Sequence, residues 1–169
     1  MILGHLPAGY VVARLLRQRF AASGVTWRTF LAAALLGSVA PDFDLLYYYT
    51  LNQQQQHHHA YVTHFPIFWA GMLVAAAVWY RMARDKRHAA LAVVFAMCGF
   101  VHLCLDSGAG NIRWLAPFLD QRFALTKVPH LTGSRRLDYL MHWSFLLELI
   151  PIAWALFLWR RDREVETGK

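Results

Sequence analysis

Charge is what this chain has least of. Only 16 % of its 169 residues are Asp, Glu, Lys or Arg, against about 25 % in soluble domains. Cysteine is also scarce. Cys98 and Cys104 lie six apart in one apolar run, on different helical faces. That spacing excludes a CxxC centre and a disulfide framework, and both read as buried free thiols. No internal repeat is present, and no period-2 alternation supports a strand. The first ten residues carry no Lys or Arg, so no cleavable signal peptide is expected and the N-terminus is expected to be retained. What fills the chain instead is apolar. Hydrophobic residues make up 57 %, with seven Trp, seven Tyr and eleven Phe.

This apolar content falls into five segments. Residues 6–20 form a short amphipathic stretch ending in Arg14, Arg17 and Arg19. A full span needs about 20 residues, so this segment is expected to be short, tilted or half-inserted. Residues 29–49 are rich in Ala, Leu and Gly but are interrupted by the PDFD of residues 41–44. Residues 65–80 and 89–105 are apolar and are joined by the basic loop RMARDKRH. Residues 139–159 form the last segment, with Pro151 in its middle, and a polar tail expected to fray follows from 161 to 169. The fold class expected is all-α, a multi-span helical membrane protein with four or five helical segments, residues 1–160 forming one domain.

The net charge of +7 could suggest nucleic acid, but the basic residues cluster between apolar runs, as membrane topology requires. Residues 14–28, 81–87 and 160–169 hold twelve of the seventeen Lys and Arg. The positive-inside rule places these in the cytoplasm and gives an N-out, C-in layout in the inner membrane. On that layout His5, Asp42, Asp44, His59, His64, His102, Asp106, His142 and Glu148 all fall on the periplasmic half.

Several of these residues are spaced as metal ligands. His102 and Asp106, at i and i+4, share one helical face, a common half-site for zinc; the alternative is a buried His paired with a helix-capping Asp. Asp42 and Asp44 follow Pro41, which disturbs the helix. Two acids two apart cannot share a helical face, yet at a broken helix end both can reach one cavity, as ligands or as general base. Carboxylates at membrane depth are costly unless they face protein, water or metal. His59 and His64 flank the start of the third segment, beside a polar NQQQQHHH tract. His5, His130, His142 and Glu148 carry weaker signals singly.

Taken in order, the pieces GHLPAG, GSVAPDFD, HAYVTH and HLCLDSGAGNIRWLAPF resemble the YdjM-type family of bacterial inner-membrane, metal-dependent hydrolases. The family pattern has an early His, a PDxD, an H-R-G-x-T-H-S, and an H-x-x-x-D followed by a Gly-containing turn and W-P-F. The resemblance spans most of the stretch from His5 to Phe118. It implies a divalent-metal site built from His5, Asp42, Asp44, His59, His64, His102 and Asp106. Departures are Ala60 for the Arg, Tyr61 for the Gly, Phe65 for the Ser, and Ala116-Pro117-Phe118 for W-P-F. A looser similarity to helical zinc-dependent phospholipases C and nucleases implies phosphoester hydrolysis at zinc. The expected function is therefore a membrane-bound, metal-dependent hydrolase, with zinc as cofactor, Asp42 or Asp44 as base, and a phosphoester or lipid-linked substrate. The expected partners are membrane lipid and that substrate, and not nucleic acid. The alternative is a non-catalytic membrane protein whose metal is structural or transported.

Overall fold

The computed structural model describes residues 3–44 and 61–167. Within them the chain is all helical. The helices are α1 (His5–Leu16), α2 (Trp27–Val39), α3 (Pro66–Met82), α4 (Arg87–Asp106), α5 (Arg135–Met141) and α6 (Leu149–Thr167). Short 3-10 turns lie at Ala40–Phe43, Val62–His64 and Trp143–Glu148. The one β-like feature among the described residues is an isolated antiparallel bridge between Ile112 and Phe123.

Two helical stretches, Arg87–Asp106 and Trp143–Glu164, are long and apolar enough to cross a membrane, and Pro66–Met82 is apolar but shorter. At about 1.5 Å per residue, the 12 residues of α1 reach only about 18 Å, short of the roughly 30 Å hydrocarbon core.

The centre of the bundle is α4, which packs against α1, α2 and α3; α1 also packs against α2 and α6. Small residues allow this close approach of the backbones. Ala13 and Ala34 are fully buried beside Val94, Cys98 and Phe30. At Gly37 of α2 a Cβ would lie 2.2 Å from the Phe95 carbonyl oxygen, so only glycine lets α2 meet α4 there. At Gly99 of α4 a Cβ would lie 2.1 Å from the ring of Trp69, which fills that space.

Helices α1 and α6 run parallel and are joined at both ends. The Glu148 carboxylate, just before α6, accepts from the Leu3 amide and from the Gly4 amide (2.9 Å), just before α1. Near the other end the Arg14 guanidinium forms a two-point pair with Asp162. That second end is the basic one. There Arg17 lies over the Trp27 ring at 5.1 Å and Lys86 over the Tyr80 ring at 5.0 Å, while Phe20 meets Tyr80 at 5.0 Å.

Three expectations are corrected. The last segment, expected to be one helical stretch over 139–159, breaks at His142, whose backbone is extended. Pro151 sits in the first turn of α6, where a missing N–H costs no helical hydrogen bond. The tail does not fray at residue 161, because α6 continues to Thr167 and Asp162 is held by Arg14. Cys98 is buried but Cys104 is exposed, as six residues of helix set the two thiols about 120° apart.

Candidate metal centre

Four side chains from three parts of the chain converge at the end of the bundle opposite the basic cluster. Asp42, His64, His102 and Asp106 each offer a ligand atom, and these atoms all lie within 4.8 Å of one another. Asp42 comes from the 3-10 turn that ends α2, where Pro41 cannot donate to the preceding helical turn. His64 closes the 3-10 turn before α3. His102 and Asp106 occupy one face of the last turns of α4.

The ring nitrogens reveal what this cluster is built for. His102 Nδ1 lies 2.7 Å from the Ser38 carbonyl oxygen. A carbonyl only accepts, so Nδ1 carries the hydrogen and a neutral ring turns the lone pair of Nε2 inward. The last carbonyls of a helix lack intrahelical partners, which is why that of Ser38 is available. His64 is held the same way, with Nδ1 2.6 Å from Asp44 Oδ2. The Nε2 atoms then face carboxylate oxygens. That of His102 is 3.3 Å from Asp106 and 3.6 Å from Asp42, and that of His64 is 3.7 Å from Asp42 and 3.9 Å from Asp106.

A lone pair set against a carboxylate is repulsive unless a cation lies between them. In agreement, the buried Nε2 atoms of His5 and His102 have no hydrogen-bond partner despite these short distances. Donors about 2.0–2.1 Å from a zinc ion stand about 3.3 Å apart in a tetrahedron. The observed separations begin at that value and run wider, so the donor set fits a divalent ion with room to tighten.

The remaining candidates take other places. Asp44, expected among the ligands, lies behind His64 and outside the group of four, and it also accepts from the Thr63 hydroxyl at 2.8 Å. Asp42 and Asp44 thus address opposite nitrogens of one imidazole. His5 stacks on His102 (centroids 3.7 Å apart, planes 12° apart) and reaches the other Asp106 oxygen at 3.2 Å. His59 lies outside the described residues. His130 pairs with Asp138 at 3.3 Å, and His142 caps its own turn through Ser144. Glu148 anchors the chain ahead of His5 and accepts from Tyr139 at 2.6 Å. Burial, then this bond to Glu148, push the Tyr139 hydroxyl well above its ordinary value, so it remains a donor.

Sequence reasoning missed Ser38, Thr63 and Tyr139. A backbone carbonyl leaves no mark on sequence, and Tyr139 meets Glu148 only because the segment breaks at His142. Thr63, directly beside His64 in HAYVTH, could have been found.

Comparison with known proteins follows the same residues. The family model described as YdjM inner membrane protein matches residues 1–165. The chain belongs to the YdjM inner membrane protein family. No curated protein and no solved structure matches it. As a YdjM family member with two helical stretches long enough to cross a bilayer, it is a membrane protein, and its His/Asp cluster could bind a divalent metal.

Proposed function

We propose that this YdjM family member is a multi-pass, metal-dependent hydrolase of phosphoester or lipid-linked substrates, with its site on the periplasmic side of the inner membrane. The observation that carries the reading is the unequal burial of the donors. The side chains of His64 and His102 are 0 % exposed and that of Asp106 2 %, whereas Asp42 is 31 % exposed. A structural zinc site is closed on all sides, and a catalytic one keeps an open position. Asp42 marks that opening.

His64, His102 and Asp106 would hold the ion, with His5 supporting Asp106 from the far side and Asp42 at the open edge. Zinc in such a set lowers the pKa of water towards about 7 and polarises a substrate oxygen. The chain does the rest. Asp44 and the Ser38 carbonyl hold the two imidazoles in the tautomer that points Nε2 inward. Asp42, at the rim, is placed to accept a proton from the attacking water. Transport is disfavoured because the candidate groups gather at one end, whereas a transport path needs access from both faces.

Metal analysis of purified wild type, His102→Ala and Asp106→Ala tests the ligand assignment. About one equivalent or more in wild type and background levels in both variants are expected. Equal metal in all three would end it. Hydrolysis of bis-p-nitrophenyl phosphate, abolished by chelator and restored by zinc, is the result expected of an enzyme. Full metal with no hydrolysis would leave a structural site.

A further inference from the structure

The chain from Ser107 to Thr126 folds back over the end of α4. Leu125 and Thr126 donate their amides to the carbonyls of Ser107 and Gly108, at 2.8 and 2.9 Å. Phe123 donates to Ile112 at 2.9 Å, and the Trp114 indole donates to the Ser107 hydroxyl at 2.8 Å. Ser107 is the residue after Asp106, so this loop is tied directly to the candidate metal centre. It encloses an open cavity of about 420 Å³ lined by Trp114, Leu115, Gln121, Arg122 and Phe123.

The loop has the wrong surface for water. Phe118 is 78 % exposed and Leu125 70 %, with Leu115, Leu119 and Phe123 also exposed. Five large apolar side chains exposed on one short loop point to an interaction site. It is equally wrong for the hydrocarbon core, because Arg113, Asp120, Gln121, Arg122 and Lys127 are interleaved with it. That mixture suits the headgroup layer, where amphipathic segments lie with apolar side chains among the acyl chains. The cations differ. Arg113 is neutralised by Asp120 at 2.9 Å. Arg122 lines the cavity, is exposed, and pairs with no carboxylate among the described residues, which leaves its guanidinium available to an anion there.

We propose that this cavity is a binding site for the headgroup of an anionic glycerophospholipid. Arg122 meets the phosphate, Trp114 and Gln121 flank it, and Phe118, Leu119 and Phe123 seat the loop among the acyl chains. The site itself stands on loop geometry and charge. Only the further step, that the bound lipid is delivered to the metal centre as substrate, rests on the hydrolase reading.

The full chain in maltoside micelles would be titrated with dioctanoyl-phosphatidylglycerol, dioctanoyl-phosphatidylcholine and inorganic phosphate, with bound lipid read by native mass spectrometry. Wild type is expected to prefer phosphatidylglycerol over phosphatidylcholine by about fivefold, the worth of one cation at an anionic surface. Arg122→Gln is expected to abolish that preference while leaving the thermal midpoint unchanged. Phe118→Ser is expected to weaken both lipids alike. Chelator should leave the preference intact. The proposal is overturned if wild type binds the two lipids equally, if Arg122→Gln keeps the preference, or if chelator removes it. Inorganic phosphate displacing the lipid at equal concentration would also overturn it. Lipid preference without any hydrolysis would leave this site standing and remove the hydrolase reading.

Discussion

The two ends of the bundle solve opposite problems. At one end imidazoles and carboxylates are buried, and each has its geometry dictated by a neighbour: His102 by Ser38, His64 by Asp44, and Glu148 by the amides of Leu3 and Gly4. At the other, Arg17 and Lys86 lie over aromatic rings, Arg17 exposed and Lys86 half-buried, and Arg14 shares its charge with Asp162. Water solvates the basic end at little cost. The site end has no such solvent and needs a cation or exact hydrogen bonding to be tolerable. The comparison teaches where energy is concentrated: substitutions of like chemistry should be severe at the first end and mild at the second.

The largest effect is expected for Asp106→Ala. In the metal-loaded protein it should remove about 3–5 kcal/mol, the usual loss when a buried cation loses its charged partner, and lower the thermal midpoint. A midpoint within a degree of wild type would break the comparison. Next comes Asp44→Asn. The fold should survive, but the hydrogen bond to His64 Nδ1 weakens and metal affinity should fall about 10–100-fold by competition with a zinc indicator. Unchanged affinity would strip Asp44 of its positioning role. At the basic end Arg14→Ala is expected to cost about 1 kcal/mol or less, since its pair with Asp162 is partly solvated, and high salt should shrink the difference.

The smallest effect concerns Asp138, in the first turn of α5. Burial raises its pKa. Hydrogen bonds from the Thr132 hydroxyl and from the Thr132 and Leu131 amides outweigh burial and hold it below the usual carboxylate range. A group depressed in the folded state stabilises it above the unfolded pKa of about 4, and that contribution is lost as pH falls through the lower folded value. Amide exchange at Leu131 and Thr132 should therefore quicken only below about pH 4, in a change absent from Asp138→Asn.

Much of the site could be read from sequence because its strongest members obey local rules. His102 and Asp106 sit one helical turn apart, and Asp42 and Asp44 follow a helix-breaking proline. What could not be read is the division of labour between the two acids. It depends on which nitrogen of His64 each one meets, a fact of tertiary packing. The break in the last segment falls at His142 and not at its one visible breaker, Pro151, which is harmless in the first turn of a helix. His142 instead turns the chain, with its ring accepting from the Ser144 amide. The continuation of α6 to Thr167 escaped notice because a polar composition says nothing about Arg14, nearly 150 residues earlier, waiting to pair with Asp162.

The double fastening of the first helix to the last carries a consequence for biosynthesis. His5 leaves the ribosome early, yet the carboxylate that anchors the backbone beside it, Glu148, emerges only when most of the chain has been made. The backbone ahead of His5 must wait for the segment that carries Glu148. Placement of His5 is therefore a late event, and a chain truncated before residue 148 would have all four converging donors but a loose His5.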